Sequence, residues 1–210
     1  MVLRFPISPR RTVSGVPKKQ IPGIFCLEGE WSPKLTDPST VRPILELLAT
    51  QRLIKFIQKD VGTIEELRYF LNKWLQKQYA DYSVGYLAFH GEPGALWLRR
   101  GHRVDLETLA EIINGRGAGR ILYFGSCSTL DLEEKNASDL QDFLRETKLK
   151  AVCGYSADVN WLESAAFEVL LVEALTYYRR VDAMDNYLRH NYPNLCDRLE
   201  FRMVWLKGSR

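Results

Sequence analysis

The sequence predicts an α/β domain built on a mainly parallel sheet with helices on both faces, and two observations support this fold class. From residue 24 onward, short apolar runs alternate with segments whose apolar residues recur at helical spacing. Such alternation is typical of parallel strands joined by right-handed helical crossovers. The hydrophobic fraction of 46% and the charged fraction of 26%, over 210 residues, are those of a single globular domain.

Two strands and two helices are predicted in the first third of the chain. The first strand is the apolar run near 23–31, which a proline-containing loop joins to a helix around 40–50. The second strand covers 53–61. Thr63 and Glu66 then have the spacing of a capping box, and apolar residues at helical spacing follow them.

The middle of the chain predicts two further strands with a hairpin and a helix between them. The third strand is SVGYLAFHG, residues 83–91, and a small strand or hairpin follows at 95–103. Asp105 can cap the next helix, which ends in the glycine-rich segment 114–119. The fourth strand is RILYFGSC, residues 120–127.

The last third of the chain predicts a loop, three helices and two strands. In order, these are a polar loop at 128–138, a helix at 139–146, a strand at 150–160, a long helix at 161–180, a short helix at 181–190 and a strand at 199–206. The final segment, LEFRMVWL, alternates apolar with more polar positions. This alternation favours an edge strand that runs antiparallel to its neighbour.

A short basic arm precedes the predicted domain. Residues 1–23 contain five basic residues and no acidic residue, whereas the whole chain carries a net charge of only +3. The rest of the chain is therefore slightly acidic, so we expect no nucleic-acid partner. The predicted organisation is an N-terminal arm over 1–23, either a solvated tail or a packing strap, followed by one domain over 24–210.

Several classes of protein are excluded by simple patterns. No run of 18 apolar residues occurs, which predicts no membrane span, and the first residues lack the apolar core of a signal peptide. The four cysteines lack a disulfide or metal-binding pattern, so a reducing cytoplasm is the expected location. The three histidines have no metal-ligand spacing, and no cofactor is expected.

Polar groups end two successive predicted strands. His90 ends the third strand and Cys127 ends the fourth. Functional groups gather at the carboxyl ends of parallel strands, and neighbouring strands lie about 5 Å apart. A thiolate is a nucleophile, and a nearby imidazole can take its proton or protonate a leaving amine. With the amides of Gly91 and Cys127 as an oxyanion hole, the sequence predicts a His-Cys catalytic dyad.

These blocks also carry a family resemblance. YLAFHG and ILYFGSC resemble the His-Gly and small-X-Cys blocks of the caspase-like (clan CD) cysteine peptidases, and within that clan the sequence is most similar to CHAT-type domains. The segments after the histidine and after the fifth strand resemble the same domains, so the resemblance extends over 24–206. It implies a three-layer sandwich with a six-stranded sheet and an antiparallel last strand. It also implies His90 as base or leaving-group acid and Cys127 as nucleophile, with no third catalytic residue strictly required.

The resulting hypothesis is a cysteine-type endopeptidase that cleaves a partner protein and is regulated by a protein partner. The resemblance makes a role in bacterial signalling or defence an expectation. The alternative is a catalytically inactive form of the same fold that serves as a protein-interaction module. A third reading, an α/β nucleotide binder, lacks a phosphate loop, because the glycine-rich segment 114–119 follows a helix and precedes a strand.

Acidic residues on the predicted rim loops suggest a preference for Arg or Lys before the scissile bond. A buried carboxylate at the bottom of a specificity pocket pairs best with a cation. Asp158, just beyond the fifth strand, is the first candidate, and Glu92 and Asp131 are the next. Glu133 and Glu134 share the loop of Asp131. For each acid the alternative is an ordinary solvated loop position.

Overall fold

The structure, a computed structural model, describes residues 21–132 and 137–206, with side chains in the second range from residue 140. Most of the predicted basic arm, residues 1–20, lies outside the described residues. The same is true of Glu133 and Glu134, two of the acids considered for substrate binding.

Nine strands form two sheets within the described residues. They are β1 Gly23–Glu28, β2 Lys55–Asp60, β3 Val84–Ala88, β4 His90–Glu92, β5 Ala95–Trp97, β6 Arg103–Asp105, β7 Ile121–Gly125, β8 Ala151–Tyr155 and β9 Phe201–Val204. The larger sheet has six strands in the order β2-β1-β3-β7-β8-β9. Its pairings are parallel except that between β8 and β9, which is antiparallel. The predicted sheet, including its antiparallel last strand, is confirmed.

Seven α-helices connect these strands in the described residues. They are α1 Arg42–Thr50, α2 Ile64–Trp74, α3 Leu106–Ile113, α4 Ala137–Thr147, α5 Trp161–Tyr177, α6 Val181–Asn191 and α7 Pro193–Arg198. Thr63 and Glu66 form the predicted capping box, and the Asp105 carboxylate caps α3 by accepting from the Thr108 amide at 2.9 Å. The six-residue α7 was not predicted, because it is too short to show a helical period. In the described part of the chain, no helix has the length and apolarity needed to cross a membrane.

The helices cover both faces of the large sheet, so the domain has three layers. Residues of α1, α5, α6 and α7 form a buried apolar cluster on one face, and residues of α2, α3 and α4 form a second on the other. Strand side chains alternate between the two clusters: Cys26 of β1 faces the first, whereas Phe25 and Leu27 face the second. Burial of apolar surface on both faces therefore stabilises the sheet.

The predicted third strand divides into two. β3 ends at Ala88, and His90 begins β4, which belongs to the small antiparallel sheet β4-β5-β6. The turn between β4 and β5 consists of Pro93 and Gly94, and Gly94 has a φ of 72°. Pro followed by a glycine with positive φ is typical of a tight turn. The residues after Phe89 therefore pair locally with β5 and leave the large sheet.

Candidate active site

The register of two adjacent strands brings His90 and Cys127 to the same edge of the sheet. β3 and β7 are parallel neighbours, and Ala88 pairs with Gly125. His90 and Cys127 each lie two residues beyond these paired positions. Parallel strands in register therefore carry both residues past the carboxyl edge of the sheet together.

Both residues line one cavity of about 220 Å³. The imidazole of His90 is exposed, and Cys127 is partly buried. Trp31, from the loop after β1, and Trp161, at the start of α5, also line the cavity. The cavity thus opens beside the two residues that the sequence predicts to be catalytic.

The His90 ring is oriented by the loop after β1. Its Nε2 lies 2.9 Å from the carbonyl oxygen of Trp31, and the indole and imidazole rings pack edge to face with centroids 5.3 Å apart. A carbonyl oxygen only accepts hydrogen bonds, so Nε2 carries the proton and Nδ1 carries the lone pair of the neutral ring. The nitrogen that can act as a base is therefore the one not engaged by Trp31.

A buried carboxylate holds the Trp31 loop in place. Glu28, at the end of β1, is only 3% exposed, and its oxygens accept from the Trp31 indole at 2.6 Å and from the Val41 amide at 2.8 Å. The Thr40 hydroxyl, at 2.8 Å, and the Gln58 side-chain amide also donate to this carboxylate. Three of these donors tie both ends of the loop between β1 and α1 to one buried acid, and Gln58 adds a hydrogen bond from β2. Glu28 was not among the predicted site residues, because no pattern in the sequence distinguishes it from other acids.

The Cys127 loop is fastened to the end of β8. The Ser128 amide donates to the Ala157 carbonyl, and the Leu130 amide donates to the Tyr155 carbonyl, each at 3.0 Å. Ser128 has a φ of 51°, an uncommon conformation for a residue with a side chain. The hydrogen bonds to the neighbouring strand hold the loop in this conformation.

The amide of Gly91 points away from its own hairpin. Leu98 donates to the His102 carbonyl at 3.0 Å, so the even-numbered residues of β5 bond to the β6 side. The odd-numbered residues of β5 therefore bond to β4, where their partners are His90 and Glu92. Gly91 lies between these partners, and its N–H is directed to the open edge of β4.

The Cys127 amide lies close to Gly91 and donates to no acceptor in the described parts of the chain. A Cβ built on Gly91 would lie 2.2 Å from the Cys127 carbonyl oxygen and 2.4 Å from the Thr129 hydroxyl. Only glycine allows β4 to approach the cysteine loop this closely. The strand that carries Gly91 therefore packs directly against the loop that carries the thiol.

The thiol of Cys127 is the accessible thiol of this chain. Its nearest hydrogen-bond acceptor is the Val159 carbonyl, at 4.0 Å, and no hydrogen bond joins it to His90 in the described structure. Cys26, Cys153 and Cys196 are buried, and burial raises the pKa of each of these thiols. Reactive thiolate is therefore expected at Cys127 alone.

The three acids predicted to bind substrate do not line the cavity. Asp158 is exposed and accepts from the Ser128 hydroxyl at 2.7 Å. Glu92 accepts from Arg103 Nε at 2.6 Å and from the Trp97 indole, and the Arg103 bond lowers the pKa of its carboxyl. Asp131 is exposed on the loop beyond the cysteine.

Glu168, which the sequence analysis did not consider, is the acid that lines the cavity. It lies on α5 and is 5% exposed, and it accepts from the hydroxyls of Tyr86 at 2.6 Å and Tyr123 at 2.8 Å. Burial raises the pKa of its carboxyl to about 7 despite these two hydrogen bonds. The sequence of α5 carries three glutamates, Glu163, Glu168 and Glu173, among mainly apolar residues, and no pattern distinguishes the buried one.

The described residues contain no group of three or more His, Cys, Asp or Glu side chains placed to hold a metal ion. The side chains that line the cavity include the Cys127 thiol and the His90 imidazole, which are a nucleophile and a base.

Comparison with known structures identifies the fold as caspase-like. The structure is similar to caspase-1 from Spodoptera frugiperda, with a TM-score of 0.50, 13% sequence identity, and coverage of 98% of this chain and 94% of that chain. It is also similar to a secreted C11 cysteine protease from Bacteroides thetaiotaomicron, with a TM-score of 0.49 and 8% identity. That match covers 81% of this chain and 58% of the protease chain.

The chain belongs to the family of unknown function DUF6642, whose model matches residues 22–205. No curated protein matches the chain. At these identities, the structural similarity establishes the fold, and the function must be argued from the site itself.

Proposed function

We propose that the protein is a cysteine endopeptidase in which His90 and Cys127 form the catalytic dyad. The observation that carries the proposal is the cavity that both residues line. The Trp31 carbonyl binds the Nε2 of His90, so Nδ1 is the ring nitrogen that is available as a base. The adjacent amides of Gly91 and Cys127 support an oxyanion hole, as argued from the ladder of the small sheet.

The reaction follows from these groups. His90 Nδ1 takes the thiol proton, and the Cys127 thiolate attacks the carbonyl carbon of the scissile peptide bond. The carbonyl π electrons move to oxygen, and the Gly91 and Cys127 amides donate hydrogen bonds to the oxyanion. As the C–N bond breaks, the imidazolium returns its proton to the leaving amine. A water molecule, deprotonated by His90, then hydrolyses the thioester and releases the thiol.

The proposal extends to the substrate, the regulation and the cellular location of the enzyme. The substrate is a partner protein, cleavage follows a basic residue, and a second protein regulates the enzyme. The unit is one CHAT-type domain over residues 24–210 of the caspase-like clan, preceded by the arm over 1–23. The four cysteines are free, which supports a reducing cytoplasm as its location.

The second candidate is a catalytically inactive fold that serves as a protein-interaction module. One observation favours it: the thiol and the imidazole do not share a hydrogen bond, and the nearest acceptor to the thiol is a backbone carbonyl. Catalytic hydrogen bonds are often long in a free enzyme and tighten when substrate binds. The distinction therefore requires a measurement on the protein with substrate-like ligands.

The test is labelling of the full chain by peptidyl acyloxymethyl ketones that carry Arg, Lys or Asp at P1. Thiolate attack displaces the carboxylate of such a reagent and leaves a thioether on the nucleophile. We expect mass spectrometry to locate the thioether on Cys127, and we expect its formation to slow by about 100-fold or more in His90→Ala. If no reagent modifies Cys127, even with candidate partner proteins present, the interaction module is the correct reading.

A further inference from the structure

We propose that the cavity beside Cys127 is a subsite for a guanidinium or ammonium side chain, with Glu168 as the residue that selects the cation. The inference rests on the proposed function only in naming the cavity as the P1 subsite; the cation site itself is independent of catalysis. It differs from the sequence-based expectation, which placed the selecting acid on a rim loop at Asp158.

The position of Glu168 along α5 suits a long side chain. α5 begins at Trp161, on the rim beyond β8, and runs down from it along the sheet. Glu168 lies seven residues further on, about 10 Å along the helix axis. Helical side chains lean towards the N-terminus, so the carboxylate is directed back up the cavity. A carboxylate at this depth suits the long side chain of lysine or arginine better than the short side chain of aspartate.

The charge of Glu168 has no cationic partner among the described residues. Its hydrogen bonds come from Tyr86 and Tyr123, two neutral donors, and a carboxylate has about four acceptor positions. Buried charges in proteins are normally paired with an opposite charge. An acid that lines an open cavity without such a partner is therefore suited to bind a cation from a ligand.

The walls of the cavity complete the site. Val41, Ile44 and Ala165 contribute apolar surface, which suits the aliphatic stem of a lysine or arginine. Trp161 also lines the cavity and is 49% exposed, so its indole ring can form a cation–π contact with a bound guanidinium or ammonium group. A volume of about 220 Å³ is roughly that of seven water molecules, enough for one such side chain.

The test uses two small ligands that differ in charge. Butylguanidinium mimics the end of an arginine side chain, and butylurea has nearly the same shape without the charge. Isothermal titration calorimetry on the full chain should show butylguanidinium binding at least about tenfold more tightly than butylurea. Glu168→Gln, which keeps the shape of the side chain, should abolish this difference, and Asp158→Asn should keep it.

Equal binding of the two ligands by the wild-type chain, or a preference that survives in Glu168→Gln, would overturn the assignment. If Glu168→Gln does not fold, the wild-type pH dependence replaces it. Butylguanidinium affinity should then rise between about pH 5.5 and pH 8, as Glu168 ionises. Because His90 lines the same cavity, this arm is run on His90→Ala, which removes its imidazole from the measurement. An affinity that does not change with pH would contradict the proposal.

The same variants connect the subsite to the proposed peptidase. Acyloxymethyl ketones with Arg and with norleucine at P1 should label Cys127 at rates that differ by at least about tenfold, and Glu168→Gln should equalise them. Guanidinium binding without any labelling would refute the peptidase and keep the cation site. Labelling with no dependence on Glu168 would keep the peptidase and refute the site.

Discussion

The carbonyl oxygen of Trp31 accepts a hydrogen bond of 2.9 Å from the Nε2 of His90. In the proposed dyad, this backbone group would serve in place of the third side chain of a triad, because it fixes the tautomer of the imidazole. Its own position depends on Glu28, whose carboxylate accepts from the Trp31 indole. Glu28 is thus a positioning residue, two hydrogen bonds away from the base.

Glu28→Gln is expected to change the orientation of His90, although Glu28 acts on it only through Trp31. The amide nitrogen of glutamine would face at least one of the donors that Glu28 now satisfies, at a cost of about 1–3 kcal/mol in the free energy of unfolding. We expect slower labelling of Cys127 by a peptidyl probe and a shift in its pH profile, because the Trp31 carbonyl would move relative to His90. Urea unfolding and labelling rates measure the two effects.

Glu30→Gln is the matched control for this change, since Glu30 is an exposed acid two residues along the same loop. It should alter neither stability nor labelling. If Glu28→Gln loses stability but keeps the wild-type pH profile, Glu28 supports the fold and does not position His90.

Gly91→Ala is expected to disrupt the site by steric overlap. The new Cβ would lie 2.2 Å from the Cys127 carbonyl oxygen, a backbone atom that can move only with its loop. We expect a loss of about 2–3 kcal/mol in the free energy of unfolding and a large loss of Cys127 labelling. Gly62→Ala is the control, because the nearest atom to its Cβ would be Arg99 Cδ, at 3.7 Å. Equal stability of the two variants would contradict the packing described for Gly91.

Alkylation of the native protein by iodoacetamide should stop at one thiol, Cys127. The other three cysteines are buried, and burial raises the pKa of each of their thiols, so little reactive thiolate is present there. Peptide mapping should find a single modified site in the native chain and none in Cys127→Ser. After denaturation, all four cysteines should react. Rapid native modification of Cys26 or Cys153 would show that the sheet is less well packed than described.

Glu168 should make the stability of the protein depend on pH. The pKa of this carboxyl rises from the ordinary 4.5 to about 7 on folding, so between these values the folded chain binds more protons than the unfolded chain. The free energy of unfolding should therefore fall as pH rises from about 4.5 to about 7, by on the order of 3 kcal/mol. The ionisable groups that face Glu168 are Tyr86, Tyr123, Tyr155, Cys26 and Glu28.

Burial raises the pKa values of those tyrosines and of Cys26 well above their ordinary range, so these groups stay neutral in this window. Urea unfolding at a series of pH values measures this effect. In Glu168→Gln, the free energy of unfolding should no longer show the fall with rising pH that is due to Glu168, and should keep the pH dependence due to the other residues. An identical pH slope in both chains would place the carboxyl in contact with water.

The sheet could be predicted from the sequence because its signals are local. Most strands of the large sheet are short apolar runs, and the helices other than α7 have a period or a cap that identifies them, as with Thr63 and Asp105. Placement of His90 and Cys127 at one edge also follows from the order of strands, since consecutive parallel strands commonly lie side by side. The pairing of Ala88 with Gly125 agrees with that expectation.

The groups that surround the dyad could not be predicted in the same way. Glu28 meets Trp31 and Gln58 through a loop conformation that no local pattern encodes. Glu168 contacts Tyr86 and Tyr123 across the helix–sheet interface, at separations of 82 and 45 residues. Such long-range contacts depend on how α5 is rotated against the sheet, and a helix that is apolar on most sides does not specify its rotation.

The two tryptophans of the cavity give the protein a built-in optical reporter. Trp31 and Trp161 line the cavity, whereas Trp74 is fully buried against the other face of the sheet. Indole emission depends on the polarity around the ring, so a guest that displaces water from the cavity should change the fluorescence of the first pair and leave Trp74 unchanged. Occupancy of the cavity can therefore be followed in the unlabelled, unmodified chain, before any substrate is known.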